Sequence, residues 1–517
     1  MAPELMADAS RDRLAALTSW HADWSGLRVA VLGLGVTGFA VADTLTELGA
    51  EVLVLAPAAD EDRARILDVI GARLLTHPLD VVPEELASFE PEVLIASPGF
   101  HPDHPVLEWA AESGVPVWGD IELAWRVRDK VAAAEWILVT GTNGKTTTVQ
   151  LAATFLAANG LRAAPCGNIG IPVLDAVRDP GGFDVLVVEL SSYQLHHLPT
   201  AGPGAVHPLA SVCLNLADDH LDWHGSPEAY AAAKAKVYAN TRIACVYNRA
   251  DEATRGMVED AEVEDGARAI GFGLDTPGPS DFGVVEGILC DRAFLEERRT
   301  AALEITTLAE LEPRGLAAPH VVQNILAASA LVRAAGVPVG VIHDALGDFR
   351  LDAHRIQAVA LAGGIRWIDD SKATNPHAAE ASLRAFDRVV WIVGGLLKGV
   401  DADALVAAHV GRLRAAVVIG RDRTALVAAF RRHAPELPLF EVVADDTETV
   451  MPEAVALAAS VAAEGDTVLL APAAASMDQF ADYADRGRRF HEAVRAMLGG
   501  EADDHDAAED GTPGSPA

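Results

Sequence analysis

Short apolar runs recur along the chain, and most of them stop at a polar turn. Residues 27–32, 51–55, 93–96, 115–118, 135–139, 183–188 and 210–216 are such runs, rich in Val, Leu, Ile and Ala. Residues 365–368, 389–393, 416–419 and 467–470 repeat the pattern further on. Their apolar positions are continuous rather than alternating, as in parallel strands buried on both faces. Between them lie stretches that read as helices, such as the Ala/Leu-rich 149–158 and 319–327. Strand, turn and helix in series predict an α/β fold of three domains. These are an N-terminal Rossmann-like domain (1–131), a central P-loop ATPase-like domain with a mostly parallel sheet (132–352), and a C-terminal Rossmann-like domain (353–500). Residues 501–517 carry six acids and no bases and read as a disordered acidic tail. No tandem repeat is visible.

The chemistry sits in the turns. Gly141-Thr142-Asn143-Gly144-Lys145-Thr146-Thr147 lies between an apolar run and an Ala/Leu-rich helix. This arrangement cradles nucleotide phosphates, because glycines let backbone N–H groups approach and the helix N-terminus adds partial positive charge. Lys145 can neutralise phosphate oxygens, and the Thr146 hydroxyl can reach a magnesium ion. The spacing departs from the general phosphate loop, with two residues rather than four between the glycines. Further upstream, Gly33-Leu34-Gly35-Val36-Thr37-Gly38 opens a βαβ unit, as in dinucleotide-binding domains. The acid that should end the second strand for a ribose is absent; Ala56-Pro57-Ala58 stands there, with Asp60 only later. That counts against NAD and leaves another anionic ligand for the same turn.

Strand ends supply further candidates, since ligands gather there in open α/β sheets. Glu189 ends the run 183–188 and is a natural magnesium ligand beside a phosphate loop. Asp218, Asp219, His220, Asp222 and His224 crowd the end of the next. Ser226 and Pro227 then start a helix on which Tyr230, Lys234 and Val237 share a face, while Lys236 points towards water. An inward lysine could be a reactive neutral amine or a snorkelling side chain on an amphipathic helix; pattern alone leaves both open. Arg350 and Arg355 are available for phosphate oxygens.

Composition narrows the partners. Lys+Arg 40 against Asp+Glu 75 gives a net charge of −35, which opposes nucleic acid and anionic membrane as general partners. Cys166, Cys213, Cys245 and Cys290 have no metal-binding spacing, so reduced thiols in a cytoplasmic chain are expected. The start of the chain lacks a signal-peptide pattern, and no apolar run reaches the roughly 18 residues of a membrane span.

Taken in order, these motifs resemble the Mur ligase family, and within it the members that add D-glutamate. The resemblance runs from Gly33 to about Phe490. It includes the glycine turn, Ser97-Pro98-Gly99, the phosphate loop, Gly167-Asn168-Ile169-Gly170, Glu189-Leu190-Ser191-Ser192-Tyr193-Gln194-Leu195 and Asp219-His220 with Lys234. It continues through His354-Arg355, Asp370-Ser371-Lys372-Ala373-Thr374-Asn375, Lys398 and Ser476-Met477-Asp478-Gln479-Phe480. It departs at Ala56-Pro57-Ala58, where the family often carries an acid and an arginine for the uracil, and it runs longer than usual between Asp251 and His320, which reads as a surface elaboration.

The resemblance implies an ATP-dependent ligase that joins D-glutamate to UDP-N-acetylmuramoyl-L-alanine through an acyl phosphate, a cytoplasmic step of peptidoglycan precursor synthesis. Its domains would bind the UDP substrate, ATP and the amino acid in that order. It implies ATP at Gly141, Thr142, Asn143, Gly144, Lys145, Thr146, Thr147, Asn324, Arg355, Asp370 and Lys372. Two Mg2+ ions would be held, one by Thr146 and Glu189, the other by His220 and Lys234 as a carbamate (N6-carboxylysine). The UDP substrate would meet Val36, Thr37, Gly99, Asn168 and His220; D-glutamate would meet Thr374, Lys398, Ser476, Met477 and Tyr483. A monomer with small-molecule substrates, no nucleic acid and no membrane insertion is expected. The competing reading is a sibling ligase adding another amino acid. A nicotinamide oxidoreductase and an inert nucleotide-binding regulator are more distant ones.

Overall fold

The computed structural model describes residues 11–59, 61–444 and 446–499. Asp60 and the tail expected at 501–517 lie outside the described residues. Three sheets, interleaved with helices, form two compact units. One unit holds the described residues up to Ala217 together with Trp223–Arg350; the other holds Asp218–Asp222 and the described residues from Leu351 onward.

The first unit contains two sheets. The N-terminal one comprises β1 (Arg28–Leu32), β2 (Glu51–Ala56), β3 (Arg73–Thr76), β4 (Val93–Ala96) and β5 (Val117–Trp118), all parallel, in the order β3-β2-β1-β4-β5. The glycine turn follows β1. Gly33 has φ +99°, and a Cβ on Gly38 would stand 2.1 Å from the Gly33 carbonyl oxygen, so the helix Val36–Glu47 packs at a distance only glycine permits.

The central sheet comprises β6 (Glu135–Thr140), β7 (Ala163–Gly167), β8 (Val185–Glu189), β9 (Ala210–Cys213), β10 (Ala244–Asn248), β11 (Arg268–Phe272), β12 (Asp281–Val285), β13 (Ile288–Asp291) and β14 (Leu303–Thr307). The order is β14-β13-β12-β11-β10-β9-β6-β8-β7. Thus β6, which carries the phosphate loop, lies between β8 and β9, and three strand ends converge. The stretch expected as a surface elaboration is instead structural: β11 and β12 continue the parallel sheet, and β13 and β14 close it antiparallel. Phe282 and Leu289 are fully buried there, and Asp291, also buried, accepts from Arg333 Nε at 2.9 Å. Its strands contain Gly, Asp and Thr and lack long apolar runs, so they escape a search for continuous hydrophobicity. The helix Pro319–Ala334 packs along this sheet and reaches the phosphate loop with its N-terminal turns.

The second unit contains β15 (Gln357–Ala362), β16 (Ile365–Asp369), β17 (Val389–Gly394), β18 (Leu413–Ile419), β19 (Leu439–Glu441) and β20 (Thr467–Leu470), in the order β15-β16-β20-β17-β18-β19. Only the β15–β16 hairpin is antiparallel. Apolar clusters cover both faces, one around Trp391 and Phe430, the other around Trp367, Met451 and Phe490. Among the described residues, no single helix is long and apolar enough to cross a membrane.

Candidate active site

The phosphate loop is held in shape by its neighbours. Gly141 and Gly144 have φ of +144° and +86°, and the helix Lys145–Ala158 starts directly behind them. The Asn143 N–H donates to Asn215 Oδ1 at 2.8 Å, and Asn215 Nδ2 returns a bond to the Asn143 carbonyl at 3.0 Å. Thr142 Oγ1 lies 3.0 Å from the Tyr230 hydroxyl and donates to the Ala217 carbonyl. Asn324 presses on the loop so closely that a Cβ on Gly144 would lie 2.4 Å from its Oδ1. Lys145 Nζ donates to the carbonyls of Gly141 and Thr142, both at 2.9 Å. Thr147, two positions beyond Lys145 in the helix's first turn, is buried.

Glu189, at the end of β8, is 1% exposed. Its Oε2 accepts from Thr146 Oγ1 at 3.1 Å, and its Oε1 accepts from Asn168 Nδ2 at 3.0 Å. Asn168, expected at the UDP substrate, here orients that carboxylate. A buried carboxylate beside a threonine hydroxyl is an all-oxygen donor pair that suits a hard divalent cation.

Lys234 points inward, as one of the two sequence readings required. It is 2% exposed, donates to the Gly141 carbonyl at 2.9 Å and Thr140 Oγ1 at 3.3 Å, and lies 4.8 Å from the Tyr230 ring. The expectation for Lys236 needs correction. The helix Pro227–Ala235 gives way to a tighter turn at Lys236–Tyr238, which brings Lys236 back against the protein. Its ammonium donates to the carbonyls of His196 and Leu198, and burial lowers its pKa.

At the N-terminal glycine turn, Val36 and Gly99 are exposed and Thr37 half-buried. The turn packs on the loop after β4, where a Cβ on Gly33 would meet Ser97 and Phe100. Sequence reasoning missed Arg63, on the helix Glu61–Ile70, whose Nη1 donates to the Leu34 carbonyl at 2.9 Å. It puts a cation beside the turn although the position after β2 lacks one. Asn215 and Tyr230 were also passed over as loop supports; an Asn at the end of an apolar run was the available signal.

The second unit gathers the remaining candidates. Lys398 Nζ is 3.5 Å from Asp219 Oδ1 and 3.4 Å from His220 Nε2. Lys398 and His220 both have left-handed backbones, with φ +53° and +54°, the kind of strain that collects at functional sites. The loop of Lys398 is joined to that of Ser476 by reciprocal backbone bonds between Leu396 and Ala475. Ser476 is buried, whereas Met477 is 70% exposed. Lys372 Nζ donates to Asp352 at 3.3 Å and lies 5.1 Å from the Tyr483 ring; Thr374 follows it on the same turn. Burial pushes the Asp370 carboxyl up to about 6 against the opposing effects of Ser382 and Arg355. Arg486, absent from the sequence reading, binds this region together. Fully buried, it donates to Ser371 Oγ (2.9 Å), the Ser371 carbonyl (2.8 Å) and the Ala474 carbonyl (3.1 Å).

The chain is similar to proteins of one family. Residues 139–332 match the Mur ligase middle domain, and residues 354–474 match the Mur ligase, glutamate ligase domain. The UDP-N-acetylmuramoylalanine–D-glutamate ligase of Leifsonia xyli is 68% identical over 97% of this chain and 98% of its own. That of Streptomyces avermitilis is 52% identical over 92% and 99%. Among solved structures, the UDP-N-acetylmuramate-alanine ligase of Thermotoga maritima aligns with TM-score 0.53 at 20% identity, covering 91% of this chain and 99% of that one. The MurF ligase of the same organism, in complex with ADP, aligns with TM-score 0.51 at 18% identity over 87% and 96%. At that identity the structures speak for the fold alone.

Proposed function

Since the chain belongs to the Mur ligase family, in the branch of the UDP-N-acetylmuramoylalanine–D-glutamate ligases, we infer how its residues divide the work of an ATP-dependent ligation. The enzyme adds D-glutamate in peptidoglycan precursor synthesis, forming an amide bond at the expense of ATP. In the mechanism we infer, the terminal carboxylate of UDP-N-acetylmuramoyl-L-alanine attacks the γ-phosphorus and ADP leaves. The amine of D-glutamate then attacks the acyl carbon of the resulting acyl phosphate, and phosphate departs.

The first step brings an anionic nucleophile to an anionic phosphoryl group, so alignment and charge neutralisation must dominate. The observation that carries the reading is the loop 141–146 held between Asn215 and Glu189 with Lys145 at its centre. Lys145 exchanges its two loop carbonyls for phosphate oxygens, while the N–H groups of Gly141 to Thr146 and the Asn324 amide frame the nucleotide. Arg355, Asp370 and Lys372 are assigned to ATP as well. Glu189 and Thr146 would hold one Mg2+, with Asn168 fixing the carboxylate's orientation. His220 and Lys234 would hold another, provided CO2 has added to the amine, because a lysine nitrogen is a poor magnesium ligand. Bound there, magnesium would screen the phosphoryl charge from the incoming carboxylate. Val36, Thr37 and Gly99 meet the UDP moiety, together with Asn168 and His220. Lys398, Ser476, Thr374, Met477 and Tyr483 receive D-glutamate, whose two carboxylates call for a cation and a hydroxyl.

The reading carries with it a cytoplasmic monomer acting on small molecules, and a single species on gel filtration would accord with it. The decisive measurement is phosphate release. It should require UDP-N-acetylmuramoyl-L-alanine and D-glutamate together, and L-glutamate, D-aspartate or meso-diaminopimelate should not replace D-glutamate. Turnover with one of those substitutes in place of D-glutamate would assign the site to a sibling activity.

A further inference from the structure

We propose that His354, Asp369 and His491 form a binding site for a zinc-like divalent cation, separate from the magnesium that accompanies the nucleotide. All three belong to the second unit. Asp369 ends β16 and is fully buried; His354 precedes β15, and His491 lies on the helix Tyr483–Met497. His354 Nδ1 stands 2.6 Å from Asp369 Oδ2, and His491 Nε2 stands 2.9 Å from the same oxygen. One ligand atom from each residue falls within 4.8 Å of the others, a separation that small side-chain movements close around one ion.

Four features favour a cation over a simple hydrogen-bonded cluster. Asp369 Oδ1 accepts from the Ser371 N–H at 2.8 Å, which fixes the carboxylate with Oδ2 turned to both imidazoles. His354 takes a left-handed backbone, φ +66°, to aim its ring at that oxygen. Helix residue Gly487 leaves room for the cluster: a Cβ there would meet His354 Nδ1 at 2.2 Å and Asp369 Oδ2 at 2.8 Å. Both imidazoles border a surface cleft of about 620 Å³, which gives an ion an entry path and a water for its fourth position. Two imidazole nitrogens and one carboxylate oxygen suit Zn2+ or Co2+, whereas Mg2+ prefers oxygen throughout. An ion here would tie the end of β16 to the helix Tyr483–Met497 and stabilise the folded second unit.

The test uses the full chain, stripped with chelator and titrated with ZnCl2 in excess MgCl2, followed by calorimetry and thermal unfolding. The expected result is one equivalent of zinc that magnesium does not displace, with a rise in Tm. His491→Ala and Asp369→Asn should each weaken binding at least about tenfold and abolish that rise. His491→Gln serves should His491→Ala fail to fold. Co2+ should give ligand-field absorption in the wild type that the variants lose. Failure of the wild type to bind zinc overturns the proposal, and so does equal binding by wild type and folded variants.

Discussion

Lys145 makes its contacts with carbonyls of its own loop, while the loop's shape is held by Asn215, Tyr230 and Asn324. Lys145→Ala should therefore leave the thermal transition within a degree or two and lower phosphate release by at least about a thousandfold, the scale of losing a cation aimed at transition-state charge. Lys234 should behave differently. Lys234→Ala should be nearly inactive, and formate or acetate should restore part of the activity, because the vacated space accepts an anion bringing the carbamate's oxygens. Unaided activity in Lys234→Ala would show that the buried amine serves packing alone. Lys236→Ala is not a silent control, since its ammonium caps the His196 and Leu198 carbonyls; activity should persist while Tm falls. A third residue, Asp120, gives a pH signature. Burial raises its carboxyl from 3.8 to about 6, although Gln194 donates to it. The folded state thus binds this proton more tightly than the unfolded chain, so Asp120 costs stability as pH rises from about 4 to about 6. Asp120→Asn should gain on the wild type over that interval, by about 3 kcal/mol at most, and Tm differences across pH would reveal it.

At the scale of elements, strand order does most of the positioning. The chain visits β6, β7, β8 and β9 in sequence, yet the sheet sets β6 between β8 and β9, so the loop, Glu189 and Asn215 meet. Each run and its terminal turn was legible beforehand because buried parallel strands are continuously apolar. Their lateral order was not, because hydrogen-bonded neighbours leave no mark in a run of valines. Strands β11 to β14 escaped because they mix Arg, Asp, Glu, Gly and Thr with their apolar residues instead of forming continuous apolar runs. Arg486 illustrates a second kind of blindness: one of four arginines on a polar helix reads as solvated, yet it is buried and clamps two loops. Its removal from water lowers its pKa to about 9. Arg486→Lys keeps a charge but cannot reach both loops, and should cost about 2–4 kcal/mol through unsatisfied carbonyls. It should also raise KM for D-glutamate more than that for ATP, because the 474–476 loop loses its anchor. Equal changes in the two constants would argue against that link.

For the whole molecule, a net charge of −35 faces substrates that are themselves anionic. Long-range repulsion slows their approach and is screened within roughly 10 Å at 0.1 M salt. The value of kcat/KM for the UDP substrate should therefore rise as KCl increases from low ionic strength towards about 0.15 M. A fall would mean that local cations already dominate the approaching substrate's field. Periodicity determined by itself the α/β class and the succession of three strand-and-turn blocks, and the order of motifs carried the resemblance to the family, because periodicity and motif spacing are local properties. Only the tertiary structure decided that Lys234 reaches the Gly141 carbonyl and that Lys236 folds back. It alone joined the Lys398 loop to that of Ser476, and brought His354, Asp369 and His491 onto one oxygen. The physical reason is common to all four. Each contact joins residues far apart in the chain, and its geometry follows from which strands pair and which helices pack, a choice made by the whole core and written in no single segment.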